Sequence, residues 1–355
     1  MALFQVTDYD KHIWETELKD WLPDNIIDVH THVWLTELKD QPKKGKEHFT
    51  VSWPSMVAPD NSIEDLQETY ELMFPGKKVK ALMFTSGGAS AANNNYVSES
   101  SKKSGFPALY YSHPSQTREQ LFSKIVSGGF LGIKCYLSSA PKYIPDDEIR
   151  ITDFFPPHQL ELMNDLGGIV MCHIPRSTRL KDPMNYEQIA YIKETWPNIR
   201  FIVAHIGRAY SSGDIGNAFD RLDQVPDLMY DFCANCSEYA ITELLKHAGP
   251  KHAMFGTDMP ILRMRTRRIE ENGTYINLVE KGLYGDVSGD SHMREVSKEE
   301  AETITFFAYE ELLALKRAWT KLGLTKEDLE DIMFNSAYDL INGASKDILG
   351  KPFVF

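Results

Sequence analysis

The sequence predicts an α/β chain folded as a (β/α)8 TIM barrel, with extra C-terminal helices and loop insertions at the barrel mouth. Eight short apolar runs rich in β-branched residues read as buried strands, and helical patterns lie between most of them. The strand ends recur at intervals of about 25 to 35 residues, the rhythm of successive βα units. A chain of 355 residues accommodates one such barrel. No linker-like stretch divides it, so one domain is expected over 1–355. Its barrel core covers 26–260, mouth insertions cover 33–61 and 259–298, and C-terminal helices cover 299–345.

Residues 1–25 form a helical or irregular lead-in that ends near Pro23, and the first strand follows at 26–32. Residues 33–61 hold Trp34, Trp53, His48 and several prolines without a clear period, which suggests a lid or pocket wall. Ser62 with Asp65 forms a capping pattern for a helix to Phe74, stopped by Pro75-Gly76. Strands are expected at 79–84, 107–112, 130–137, 168–173, 200–205, 228–232 and 253–258. The helices between them are expected at 97–104, 115–127, 158–166, 186–196, 218–222 and 237–248. Two helices, 299–322 and 326–341, complete the chain.

Composition narrows the function classes. A net charge of −13 argues against a nucleic-acid partner, whose phosphates it would repel. No apolar stretch reaches the roughly 18 residues needed to span a bilayer, and residues 1–20 have no apolar signal core. A cytoplasmic protein acting on a small molecule is the expectation, with a homodimer as the default assembly. Of the four cysteines, Cys233 and Cys236 form a Cys-x-x-Cys, but a structural zinc site needs a second pair and none exists. Reduced thiols are expected.

Chemistry gathers at the strand ends. In Ile26-Ile27-Asp28-Val29-His30-Thr31-His32, strand alternation points His30 and His32 to one face, with Asp28 one step deeper on that side. Alone, a His-x-His is better explained by two hydrogen-bonded histidines at a strand end. However, His173 closes the fifth strand, His205 the sixth and Asp258 the eighth, and barrel enzymes build their sites at these ends. Four imidazoles and a carboxylate delivered to one mouth suit a divalent ion with an open position, and such an ion lowers the pKa of bound water. A nearby carboxylate can then shuttle a proton.

With these residues in view, the chain resembles the amidohydrolase superfamily. The similarity is carried by Asp28-Val29-His30-Thr31-His32, Val170-Met171-Cys172-His173, Ala204-His205-Ile206-Gly207, Phe255-Gly256-Thr257-Asp258 and the late Ile332-Met333-Phe334-Asn335-Ser336-Ala337. It is most similar to the amidohydrolase-related branch that holds aminocarboxymuconate-semialdehyde decarboxylase, γ-resorcylate decarboxylase and several lactone hydrolases. The resemblance implies that His30, His32, His173 and Asp258 bind one divalent ion, zinc first and manganese second. It implies that Asp258 also takes the proton of the activated water and that His205 is an acid/base or electrophile beside it. In binuclear relatives a carboxylated lysine of the fourth strand bridges two metals, and Lys134 stands at such a position. A lysine paired with a barrel acid, or anchoring a substrate anion, is the preferred reading of it.

Weaker candidates are Arg176, Arg208, Asp231 and His113. The arginines follow His173 and His205 by three residues and could bind a carboxylate, although solvation explains a loop arginine as well. Asp231 could orient His205 or a substrate hydroxyl, and His113 ends the third strand. Arg263, Arg265, Arg267, Arg268 and Arg294 form a basic cluster that either selects an anionic substrate or pairs with the protein's own acids, the second being preferred. His12, His48, His158, His247, His252 and His292 read as surface or packing residues.

The expected activity is hydrolysis of a lactone, ester or amide of a small polar, anionic molecule by metal-activated water. Non-oxidative decarboxylation of a small carboxylic acid on the same scaffold is the alternative, and an idle binding barrel comes third. Decarboxylating relatives carry a His-x-Gly-Glu-like stretch after the sixth strand. Here His205-Ile206-Gly207-Arg208 ends in arginine, which favours hydrolysis of an acidic or sugar-derived substrate.

Overall fold

The computed structural model describes residues 2–38, 54–86 and 88–355. Its eight barrel strands are β1 (Asn25–His32), β2 (Lys78–Phe84), β3 (Tyr110–Tyr111), β4 (Gly132–Cys135), β5 (Ile169–Cys172), β6 (Arg200–Val203), β7 (Met229–Asp231) and β8 (Ala253–Met254). All pair parallel to their neighbours, β1 with β2 and β3 through β8 in sequence order. A bridge from Met83 to Ala108 joins β2 to β3. At the other seam Val29 N–H donates to Phe255 O at 3.0 Å, and Asp258 N–H donates to His30 O at 2.7 Å. The barrel thereby closes on itself, as the strand count predicts.

The elements form for local reasons. The helix Ile63–Met73 starts at the Ser62–Asp65 capping box that the sequence shows. The helices Ala91–Ser104 and Arg118–Gly128 end on left-handed glycines, Gly105 and Gly129. Two apolar layers result. Residues such as Ala81, Met83, Ile133, Val170 and Phe201 pack outward against the helices. Ile27, Val29, Leu82, Leu109, Ile169, Met171 and Ile202 fill the interior, together with Ala337, Leu340 and Ile341 of the last helix.

Three features differ from the expectations. The segment 259–298 is no plain loop: β9 (Arg267–Glu271) and β10 (Thr274–Glu280) form an antiparallel hairpin, and β11 (Met293–Val296) lies parallel to β10. The helix expected at 299–322 is split into Lys298–Ala301 and Phe307–Leu322, and the last helix runs from Ser336 to Leu349 after a π-helical turn at Asp331–Asn335. The eighth strand stops at Met254, so Asp258 sits in the loop beyond it. The expected lid falls largely on 39–53, including His48 and Trp53, which lies outside the described residues. The near end of that insertion is anchored by Trp34, whose indole N–H donates to Pro59 O at 2.9 Å. No helix among the described residues is long and apolar enough to cross a membrane.

Candidate metal centre

The site begins with a break in β1. Pairing with β2 shifts register between Asp28 and Thr31, so side chains do not alternate through the strand end. Asp28 therefore does not lie beneath the histidines. Its carboxylate instead turns to the surrounding helix and to the β8 loop, accepting from Tyr70 OH at 2.8 Å, Thr257 N–H at 3.0 Å, His30 N–H at 3.1 Å and the Thr257 hydroxyl. Burial raises its pKa to about 7 against the pull of these donors. It ties β1 to the β8 loop.

His30 and His32 meet Asp258 at the mouth. Asp258 Oδ1 lies 2.8 Å from His32 Nε2 and 3.6 Å from His30 Nε2. Behind them, His30 Nδ1 is 3.0 Å from Asp231 Oδ2. A carboxylate can only accept, so Nδ1 carries the proton and His30 Nε2 keeps its lone pair for a ligand. That Nε2 is buried and has no hydrogen-bond partner among the described residues. Burial depresses the pKa of His30 to about 4, so the ring is neutral at neutral pH. For Asp258 burial works upward, but the His32 hydrogen bond and the nearby imidazoles outweigh it and leave a pKa of about 2. The neutral His30 imidazole beside an ionised carboxylate is the donor chemistry of a divalent cation.

His205 and Asp258 both have left-handed backbone, with φ of 57° and 52°. The turn His205–Arg208 holds Ile206 and Gly207 at φ of 51° and 58° as well, a sparsely populated state for a β-branched residue. Asp231 Oδ1 steadies the turn by accepting from His205 N–H at 2.7 Å. The His205 ring lies 4.8 Å from the rings of both His30 and His173. Its Nδ1 is 3.0 Å from Cys233 O, which fixes the proton there and leaves Nε2 as an acceptor. Burial also lowers its pKa, against the charges of Asp258 and Asp231.

Other expected residues fall differently. Donor atoms of His30, His32 and Asp258 all lie within 4.8 Å of one another, but His173 joins no such group. It follows the last residue of β5, and its ring packs against His205 and, at 5.6 Å, against Tyr136. Asp231 is fully buried with its two oxygens engaged by His30 and His205, which matches the His205-orienting alternative of the two roles weighed for it. Lys134 points into the barrel without the acid partner expected of it. Its Nζ is buried, has no hydrogen-bond partner among the described residues, and lies 5.2 Å from the Phe84 ring centroid and 4.9 Å from that of Tyr136. Burial lowers its pKa, against the charges of Asp231 and Asp258.

Arg208 is half-buried and close enough for its charge to bear on His173 and Tyr210, with no ion pair among the described residues. Arg176 is turned toward Asp182, at 3.9 Å, and Glu148 O. His113 is held at its own turn, with Nδ1 2.7 Å from Ser115 Oγ. The basic cluster is spent on structure. Arg265 pairs with Asp10, Arg267 with Glu310 and Arg294 with Glu271, while Arg268 bonds Asn277 and covers Tyr210 and Tyr275.

Two site residues escaped the sequence reading. Tyr136 OH lies 3.4 Å from His32 Nε2, and Cys233 Sγ lies 2.9 Å from His205 Nδ1. Tyr136 stands two residues after Lys134 at the end of β4, and that spacing was its only signal. Cys233 lay within a Cys-x-x-Cys read as inert thiols.

Fold and site together define a barrel enzyme with a His/carboxylate metal centre. The sequence model of the family described as Amidohydrolase matches residues 27–270, and the chain belongs to that family. Comparison with curated proteins finds no match. Among solved structures, an amidohydrolase from Burkholderia multivorans with bound HEPES is similar at a TM-score of 0.56 and 12% identity, over 89% of this chain and 98% of that one. A probable 2-pyrone-4,6-dicarboxylic acid hydrolase from Acinetobacter baumannii with citric acid bound gives 0.54 and 14%, over 89% and 99%. Amidohydrolase 2 from Bifidobacterium longum subsp. infantis gives 0.52 and 14%, over 90% and 99%.

Proposed function

We propose that this protein is a metal-dependent hydrolase that opens a lactone, ester or amide of a small anionic molecule. The observation that carries the reading is the convergence of His30, His32 and Asp258 donors within 4.8 Å, with the free Nε2 of His30 facing them. His30, His32 and Asp258 would hold the ion, with His173 adjacent. When bound, it would supply Lewis acidity and lower the pKa of a water ligand to about 7, with zinc first and manganese second.

The chain's own groups do the rest. Asp231 fixes the tautomer of His30. Asp258, ionised, accepts the proton of the attacking water and passes it to the leaving group. His205 presents an unprotonated Nε2, so in this tautomer it is a proton acceptor and not a donor to a carbonyl. The donor available to a developing oxyanion is the Tyr136 hydroxyl, which burial keeps protonated. Arg208, a cation without an ion-pair partner among the described residues, supplies the attraction for a substrate carboxylate, and the buried Lys134 Nζ offers a further hydrogen-bond donor. The similar structure named for a dicarboxylic acid hydrolase carries citric acid, a ligand of the same charge class.

The test is elemental analysis of the purified protein, followed by an assay of lactones of dicarboxylic acids and of aromatic carboxylates. One divalent ion per chain, lost in His30→Ala, with lactone opening is the expected result. Release of carbon dioxide from an aromatic carboxylate without lactone opening would assign decarboxylation instead. A protein that takes up neither zinc nor manganese would defeat both.

A further inference from the structure

The hairpin of β9 and β10 is stitched to the loop that follows His205. Ser211 Oγ donates to Gly273 O at 3.1 Å, and Ser212 N–H donates to Glu270 Oε2 at 2.9 Å. Between loop and hairpin the ring of Tyr210 is pinned by two cations. Arg268 of β9 lies 4.9 Å from its centroid and 4.3 Å from that of Tyr275 in β10. Arg179 lies 5.5 Å and 5.1 Å from the same two rings and is itself fixed by Asp214 at 2.7 Å. Tyr275 meets Tyr210 edge-on at 5.2 Å, and Asp214 Oδ2 accepts from Tyr210 N–H at 3.1 Å. The ring so held stands 6.2 Å from that of His205.

The hydroxyl is the part of Tyr210 that this packing does not use. It makes no hydrogen bond among the described residues, although the side chain is half-buried. A phenylalanine would fill the same clamp, and a polar group withdrawn from water without a partner costs free energy. Burial raises the pKa of the phenol against the pull of the Arg208 and Arg268 charges, so the hydroxyl keeps its proton and can donate. We infer that Tyr210 is a specificity-determining residue whose hydroxyl, beside the Arg208 guanidinium, donates to the substrate carboxylate remote from the bond being broken. The guanidinium supplies charge and the phenol direction, since a hydrogen bond to a carboxylate is strong and demands aim. Arg268 is then a positioning residue that acts through the Tyr210 ring, which gives the hairpin a role at the mouth. The inference rests on the hydrolase reading above and names the subsite for its anionic substrate.

Calorimetric titration of the zinc-loaded, full-length protein with tricarballylate tests it, a polycarboxylate without the hydroxyl by which citrate strips metals. The wild type should bind the probe, and Tyr210→Phe should bind it about 10- to 100-fold more weakly at unchanged zinc content, the effect of one hydrogen bond to a charged group. On a dicarboxylate lactone that the wild type opens, the same variant should raise KM by a similar factor and keep kcat. Arg268→Met should weaken probe binding in the wild-type background and have no further effect in Tyr210→Phe, as a residue acting only through that hydroxyl must. Equal affinities of wild type and Tyr210→Phe overturn the inference, and so does a zinc-loaded wild type that does not bind the probe; both outcomes leave the hydrolase reading intact. Additive losses from Arg268→Met and Tyr210→Phe overturn the positioning role of the hairpin. If Arg268→Met does not fold, Tyr210→Phe, which keeps the ring in its clamp, still decides. A protein that binds the probe through Tyr210 but opens no lactone fails the hydrolase reading alone.

Discussion

Asp231 and Tyr136 mark what single side chains contribute. Asp231 holds the proton of His30 on Nδ1, so Asp231→Asn is expected to weaken metal binding about 10- to 100-fold, the usual effect of losing such a partner. Titration of the metal-free protein with zinc reads this directly, and an unchanged affinity would show that the tautomer is fixed by something else. Tyr136 offers an O–H donor beside the ligand His32. Tyr136→Phe is expected to lower kcat about 100-fold, the effect of losing one oxyanion donor, while metal content stays at the wild-type level. Loss of metal in that variant would make Tyr136 a positioning residue.

The turn His205–Arg208 and the break in β1 belong to the scale of elements. Gly207 has φ of 58°, and a Cβ there would come 2.7 Å from Leu180 Cδ1. Gly207→Ala is therefore expected to cost about 1–3 kcal/mol of stability, read from the denaturant midpoint. A variant as stable as wild type would show that the turn relaxes. The same elements explain which parts of the site were legible. His30, His32 and His205 could be found because a barrel gathers its strand ends, and that rule needs only the position of each strand. Asp28 was misplaced because a strict period of two was carried through a register shift that leaves no mark in the residue types. Lys134 was expected to pair with a barrel acid or to anchor a substrate anion, and its neighbours are the rings of Phe84 at the end of β2 and Tyr136 just after β4, a matter of packing between strands that the sequence does not show. The hairpin of β9 and β10 was missed because its alternation is masked by charged residues on both faces, Arg267, Arg268, Glu270 and Glu271 among them.

For the whole molecule, the buried imidazoles set a dependence on pH. The pKa of His30 falls from 6.5 in the open chain to about 4 in the fold, so the ring contributes stability above pH 6.5 that is lost as pH falls toward 4. His173 and His205 are shifted in the same direction. The metal-free protein should thus lose a few kcal/mol on acidification through this window. His30→Gln should flatten the curve, and thermal melts at stepped pH measure both; equal slopes for the two proteins would refute the assignment. The seam between β1 and the β8 loop has a consequence for biosynthesis. Asp28–Thr257, Val29–Phe255 and His30–Asp258 are all bonds between the start of the barrel and its last stretch. A nascent chain that has emerged only as far as β7 carries His30 and His32 but lacks Asp258, so ion capture waits on completion of the ring. Once captured, an ion held at 100 times its dissociation constant adds about 3 kcal/mol to the closed state. It would act as a rivet set after synthesis, and the supply of the element in the cell would then govern how long each finished copy survives.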